Sequence, residues 1–223
     1  MRNNLCKSMM VISIIINLFL LSCATTLPGR QYSQGSIIDV GYFSVIGPPG
    51  EGWAVNIKKD QETIEFQKRN VSQSTGLLND ITMIKVFRNW ITEERFMQSE
   101  EEVADDFRKM EEEGMIRMGV MKGVFELTDV KKDTTVIGDK KLYFMSYRTS
   151  GWSIGPVRRK YINDAVLYLF FPSDFKERHF FYCFLIQYGD MQGSLEKGDL
   201  TSIIPVIKSL KIKDVATSVI IHH

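Results

Sequence analysis

The sequence contains few of the residues that form covalent cross-links or carry out catalysis. It has three cysteines and three histidines among 223 residues. Cys6 lies before the N-terminal apolar segment Met9–Cys23, and Cys23 ends it. Cys183 alone therefore remains for the rest of the chain, and no internal disulfide is expected there. Cys183 lies in the apolar stretch 180–186, which favours a buried small side chain over a reactive thiolate, because a thiolate needs a base and a polar cleft.

An excess of charge of either sign is also missing. The chain has 28 basic and 27 acidic residues, and without residues 1–22, which hold Arg2 and Lys7, it has 26 basic residues against 27 acidic ones, a balance of −1. A nearly neutral domain has no strong field to attract nucleic acid or an anionic membrane surface. We therefore expect no nucleic-acid partner.

Recognisable catalytic motifs are absent from the sequence. It contains no Gly-x-Ser-x-Gly elbow, phosphate loop, dinucleotide-binding glycine pattern, His-Glu-x-x-His or paired-cysteine motif. His179 is the one histidine away from the C-terminus, and a catalytic triad would need it to be oriented by an acid and to face a nucleophile. We expect His179 to be a residue at the end of a strand, and we predict no catalytic residues.

Acidic residues are plentiful between Glu100 and Glu113, but they lack the alternating ligand spacing of a calcium loop. We interpret them as the solvated face of a helix and expect neither a metal site nor a cofactor. A carboxylate-based hydrolase stays open as an alternative, because the sequence does not show which acids approach one another in space.

Long hydrophobic runs are missing as well. The longest apolar segment lies within Met9–Cys23 and has about a dozen residues, whereas a membrane-spanning helix needs about 20. Arg2 and Lys7 precede it and no acid does, which is the pattern of a secretory signal peptide over residues 1–22. Its end, Leu20-Leu21-Ser22-Cys23, resembles a bacterial lipobox. The alternatives are an ordinary signal peptide and an uncleaved anchor.

The lipobox resemblance implies that Cys23 receives a diacylglyceryl group and becomes the first residue of a lipid-anchored protein. Two or three acyl chains hold a protein on a bilayer stably, whereas one does so only marginally. Ala24 follows Cys23, which implies the periplasmic face of the outer membrane in a cell with two membranes and the outer face of the plasma membrane in a cell with one.

The remaining chain suits one domain. Residues 23–36 are polar, with Pro28, Gly29 and Gly35, and they predict a flexible leash; the alternative is a first irregular layer packed on the domain. We assign residues 37–213 to a single domain and 214–223 to a C-terminal tail.

Hydrophobic periodicity predicts an α+β domain. Strands are predicted within 37–46, 53–57, 63–68, 81–90, 123–130, 142–147, 165–171, 180–188 and 210–212. A capping box, Ser99-Glu100-Glu101-Glu102, predicts a helix that buries Val103, Phe107 and Met110 and ends near Gly114. A last helix is predicted after Thr201 or Ser202, with Pro205 in its first turn.

This order of elements, with Gly52-Trp53 leading into Ile64-Glu65-Phe66 and with Ile207–Lys211 near the end, is similar to the PsbP-like superfamily. That superfamily includes the extrinsic PsbP protein of photosystem II, the Ran-binding Mog proteins and bacterial lipoproteins of the DcrB kind. The resemblance covers about Gly41–Ile212. It implies a twisted antiparallel sheet flanked by helices, an α/β/α sandwich, and it carries no catalytic residue to this chain.

Two classes of function follow. The first is a membrane-anchored envelope lipoprotein that acts as a non-catalytic binding or assembly module for an envelope protein, and it predicts an exposed apolar patch near Trp152 or the leash. The second is a small-ligand receptor or hydrolase on the same scaffold. It predicts a pocket with shifted carboxylates or with His179 at its floor.

Overall fold

The computed structural model describes residues 30–58, 62–74, 76, 78–122, 125–152, 160–191 and 198–213. The predicted signal peptide, Cys23, the first part of the leash and the tail 214–223 lie outside the described residues. None of the helices described here is both long enough and apolar enough to cross a membrane.

Eleven described strands form two antiparallel sheets. Their bounds are β1 Arg30–Gln31, β2 Ile37–Asp39, β3 Phe43–Ile46, β4 Trp53–Lys58, β5 Thr63–Val71, β6 Leu78–Trp90, β7 Phe125–Ile137, β8 Lys140–Trp152, β9 Lys160–Phe170, β10 Phe180–Asp190 and β11 Lys211–Ile212. The large sheet has the order β1-β4-β5-β6-β10-β9-β8-β7, and the small sheet has the order β11-β3-β2.

Strand β10 joins the two halves of the large sheet. It pairs with β6 along one edge and with β9 along the other over nearly its whole length. Its side chains are almost all buried, as the unbroken apolar run predicts for a strand covered on both faces. The pairing of β9 with β10 is antiparallel, as a short connection between neighbouring strands requires.

Helix α1, Glu100–Lys122, begins at the predicted capping box. The backbone N–H of Ser99 donates to the Glu102 carboxylate at 2.7 Å, and the N–H of Glu102 donates to the Ser99 hydroxyl at 3.3 Å. The predicted end at Gly114 is wrong. Gly114 faces open space, and the helix continues because Met115 in its next turn is fully buried against the sheet.

The large sheet has a separate hydrophobic core on each face. On one face Val103 and Phe107 of α1 pack against Phe181 and its neighbours. On the other, the small sheet and helix α3, Ile203–Ser209, pack against Tyr182 and Phe184. The α+β class with a mainly antiparallel sheet is confirmed. The second outer layer contains a three-stranded sheet as well as a helix, and in this it differs from the predicted α/β/α sandwich.

The predicted leash needs a correction at its end. Arg30 and Gln31 pair with β4, and the Tyr32 side chain is buried, with its ring edge-on to Phe66 at 5.4 Å between centroids. Residues 30–32 are therefore held on the domain, as in the alternative interpretation, whereas residues 33–35 are exposed. Residues 37–46, predicted as a first strand or apolar pad, form a hairpin, because Gly41 adopts a φ of 99° between β2 and β3.

Strands β7 and β8 are longer than their apolar patterns predict. Most side chains of β7 are exposed, because it is the edge of the large sheet and faces solvent. Its pairing with β8 shifts register between Thr128 and Lys131, where Asp129 has a φ of 56°. Such a bulge twists an edge strand and hinders pairing with another chain.

Helix α2, Phe175–Arg178, is a single turn between β9 and β10. At α3, Ser202 occupies the position before the helix, but its side chain makes no capping hydrogen bond. Pro205 lies in the first turn of α3, as predicted.

Candidate functional site

An arginine surrounded by aromatic rings lies at one end of the large sheet. The guanidinium carbon of Arg88 is 3.9 Å from the centroid of the Tyr42 ring, 4.3 Å from that of Trp90 and 4.5 Å from that of Phe180. Its charge is balanced by an ion pair with Glu62. We call Tyr42, Glu62, Arg88, Trp90 and Phe180 the Arg88 cluster.

Strand geometry explains how these residues meet. Arg88 and Trp90 are two residues apart on β6 and so project from the same face, and Phe180 is the partner of Trp90 on β10. The Trp90 and Phe180 rings pack edge to face at 5.6 Å. Tyr42 comes from the β2–β3 turn of the small sheet, so the cluster links the two sheets.

The Arg88 cluster has a buried base and an exposed top. The side chain of Arg88 is only 3% exposed, whereas Trp90 is 55% and Tyr42 37% exposed. Cation–π contacts and an ion pair fix the orientation of these two rings before any partner arrives. Trp, Tyr and Arg are also the residues that dominate binding energy at interfaces.

Beneath the cluster lies the fully buried Tyr182. Its hydroxyl has no hydrogen-bond partner among the described residues. Burial raises the pKa of this phenol to about 12, with Arg88 acting in the opposite direction. Tyr182 therefore serves as an apolar support for the neighbouring rings, including Phe43 at 5.3 Å.

A second exposed tryptophan lies at the opposite end of the large sheet. Trp152 is the last residue of β8, pairs with Lys160 of β9 and is 58% exposed. The sequence analysis predicts an exposed apolar patch near Trp152 or the leash, and the Trp152 side chain is exposed. Residues 153–159, which follow Trp152 in the chain, lie outside the described residues.

His179 and Cys183, which the sequence analysis considered as possible catalytic residues, lie in packed surroundings. His179 has a φ of 59° at the end of α2, and its ring lies 4.1 Å from that of Phe96. Cys183 is fully buried, as predicted, and burial raises the pKa of its thiol well above the usual range. Among the residues described, no three His, Cys, Asp or Glu side chains are grouped as a metal site would require.

The burial of one titratable side chain, Glu111, was not predicted from the sequence. Glu111, assigned to the solvated face of α1, is only 9% exposed and points towards the sheet. Burial raises the pKa of its carboxyl to about 8, with partial opposition from Lys85, whose own pKa is lowered by burial. The signal was its spacing, since Glu111 lies four residues after Phe107 and four before Met115 on the buried stripe. Met110, predicted to be on that stripe, is exposed instead.

A small cleft of about 160 Å³ opens beside the β7 bulge. Its lining residues include Asp129, Lys131, Arg148, Asp164 and Leu200. Arg148 donates two hydrogen bonds to the Asp164 carboxylate, at 2.7 and 2.9 Å, so these charges neutralise each other. Neither Glu111 nor His179 lines this cleft, and the pocket that a receptor or hydrolase would need is larger, about 300 Å³ or more.

Comparison with known proteins gives little further information. No protein-family model matches the chain, and no curated protein sequence matches it. Among solved structures, the chain is similar to the solution structure of cyanobacterial PsbP (CyanoP) from Synechocystis sp. PCC 6803, with a TM-score of 0.34 and 9% identity. The match covers 75% of this chain and 96% of that one. This score lies below the range in which two chains are taken to share a fold, so the PsbP-like assignment stays a prediction.

Proposed function

We propose that this protein is a lipoprotein of the cell envelope, anchored by acyl chains on Cys23, whose PsbP-like domain is a non-catalytic binding or assembly module for another envelope protein. Its location is the periplasmic face of the outer membrane in a cell with two membranes and the outer face of the plasma membrane in a cell with one. The observation that carries the binding role is the exposure of Trp152.

Trp152 is an unusual residue to leave in water. Its indole offers a large apolar area with one hydrogen-bond donor, and such side chains contribute most when a partner covers them. Pairing of Trp152 with Lys160 holds its backbone in the sheet. A partner can therefore bind this tryptophan without first ordering its backbone, which lowers the entropic cost of association.

The binding role is tested by photo-cross-linking from single positions in cells. A photoreactive phenylalanine analogue replaces Trp152 in one strain and Val136 in a matched control, because Val136 is 67% exposed but lies near the other end of the sheet. We expect one envelope protein to be cross-linked from position 152 and not from 136, and to co-purify with the parent chain but not with Trp152→Ala. Recovery of the uncoupled chain from both strains would contradict the binding role.

The anchor is tested separately with Cys23→Ala. We expect the parent to carry acyl label and to fractionate with membranes, and the variant to lose the label and the cleavage before residue 23. A variant that is processed like the parent, with no acyl label on either chain, would show that the lipid assignment is wrong.

A small-ligand receptor is the second candidate, and one observation favours it. A buried carboxyl whose pKa is raised to about 8, as that of Glu111 is, occurs preferentially at functional sites. A screen of small molecules by thermal shift, run on the parent, Glu111→Gln and the exposed control Glu113→Gln, tests this candidate. A ligand that stabilises the parent and Glu113→Gln but not Glu111→Gln would support it.

A further inference from the structure

Helix α1 is attached to the sheet by strong contacts in its first part. Val103 and Phe107 are buried in the core beneath the helix. Arg108 donates hydrogen bonds to the carbonyl oxygens of Asp133 and Phe144, at 3.0 and 3.1 Å, and these bonds join the helix to β7 and β8. The first part of α1, up to Arg108, therefore has both apolar and polar attachments.

The second part of α1, Glu111–Lys122, has a weaker basis. It contains Gly114 and Gly119, and glycine is a poor helix former because its backbone loses the most conformational freedom on folding. Gly114 faces open space. Glu111 and Met115 are the described side chains of this part that are buried against the sheet. One of the two buried attachments is thus a carboxyl.

The Glu111 carboxyl lies where a negative charge has little compensation. Its side chain is buried, and no hydrogen bond or ion pair joins it to another residue that the structure describes. The nearby charges on α1 and β7 are already paired, Arg108 with Asp105 and Lys132 with Glu112. A buried carboxylate without a partner is unfavourable, so this interface is stable only while Glu111 keeps its proton.

The groups that face Glu111 from the sheet do not remove this cost. They are Lys85 of β6, Tyr147 of β8 and Cys183 of β10. Burial raises the pKa values of the phenol and the thiol, so both stay neutral near pH 7. Lys85 attracts the carboxylate, but it is also opposite Glu65 on β5, which competes for the same ammonium group.

The second part of α1 ends beside Trp152. Gly119 lies directly against Phe125 at the start of β7, and a Cβ added to this glycine would be 2.7 Å from the Phe125 carbonyl oxygen. Phe125 is opposite Gly151 on β8, the residue before Trp152. The end of α1 therefore shares one end of the sheet with the exposed tryptophan.

We infer that the second part of α1 is a pH-sensitive element that opens from the sheet as Glu111 loses its proton, while the first part stays in place. Opening uncovers the buried site of Met115 and changes the surface next to Trp152. The inference does not rest on the proposed function, because it concerns contacts within the domain alone.

The direction of the pH effect follows from the two environments of the carboxyl. Its pKa is about 8 in the closed helix and near the reference value of 4.5 in solvent. Between these pH values the closed form keeps a proton that the open form has released, so opening becomes easier as pH rises. The effect is about tenfold for each pH unit and levels off above about pH 8.

Native-state hydrogen exchange of the full chain, measured below the urea concentrations that unfold it, tests for a separate opening. We expect the amides of residues 114–122 to exchange faster than those of β10 and with little dependence on urea, because a local opening exposes little surface. The amides of residues 104–108 should exchange with those of β10. Equal rates and equal urea dependence in residues 114–122 and β10 would overturn the inference, since α1 would then open only with the whole domain.

The role of Glu111 is tested with Glu111→Gln and with the exposed control Glu113→Gln. Comparison of the proteins at the same pH removes the intrinsic pH dependence of amide exchange. Between pH 5.5 and 7.5, the exchange rate of residues 114–122 in the parent relative to Glu111→Gln should rise about 100-fold. Glu113→Gln should follow the parent. A ratio that stays constant with pH would show that ionisation of Glu111 does not drive the opening.

Discussion

Replacing Glu111 with glutamine should change how the stability of the protein depends on pH. The carboxyl has a pKa of 4.5 as a reference value and about 8 in the folded protein. Between these values the folded protein binds a proton that the unfolded chain has released, so the free energy of unfolding falls as pH rises through this range. At 1.36 kcal/mol for each pH unit, the fall is about 5 kcal/mol.

Glutamine resembles the protonated acid in shape and does not titrate. We therefore expect Glu111→Gln and the parent to have similar stability at pH 4.5, and the variant to be more stable by about 5 kcal/mol at pH 8.5. Tyr147 and Cys183, which also interact with Glu111, have pKa values raised by burial and stay protonated throughout this range. They do not obscure the effect.

The measurement is equilibrium unfolding in urea at several pH values, followed by tryptophan fluorescence, to which the buried Trp53 contributes. Glu113→Gln, an exposed change on the same helix, serves as the control and should follow the parent at every pH. Parallel pH profiles of the parent and Glu111→Gln would refute the reasoning. They would show that water or a rearranged Lys85 reaches the carboxyl and keeps its pKa near 4.5.

Two further substitutions and one labelling experiment test other parts of the structure. Ser99→Ala removes the cap of α1 and should lower the free energy of unfolding in urea by about 1 kcal/mol; an unchanged value would mean that the cap contributes nothing. Tyr182→Phe removes a buried hydroxyl without a described partner, so its melting temperature should equal or exceed that of the parent, and a clear decrease would reveal a missed hydrogen bond. Cys183 should resist alkylation in the folded protein and react after unfolding, as judged by peptide mass, and rapid labelling of the folded protein would contradict its burial.

Local sequence patterns correctly predicted those helices and strands that are stabilised by interactions between residues close together in the chain. The capping box at Ser99–Glu102 located the start of α1 because its hydrogen bonds join residues three apart. The apolar runs of β9 and β10 showed central strands because both faces of each are covered. The end of α1 was predicted wrongly because glycine has a low helix propensity. Burial of Met115, a tertiary contact, outweighs that low propensity at Gly114.

The candidate site was not visible in the sequence for a related reason. Tyr42, Arg88 and Phe180 are far apart along the chain, and only the placement of the small sheet over the end of β6 and β10 brings their side chains together. The exposed pattern of β7 likewise has no apolar alternation that would have shown its full length. The burial of Glu111 could have been predicted from its spacing on the helix. It was not predicted because the neighbouring acidic residues indicated a solvated face.

The position of β10 also determines when the domain can assemble during synthesis. Trp90 on β6 pairs with Phe180 on β10, so 90 positions of chain separate the partners that unite the halves of the large sheet. Contacts of such high sequence separation slow folding. A nascent chain that ends before residue 180 contains both halves but not the strand between them, and it would leave long apolar edges of β6 and β9 open to chaperones or to other chains.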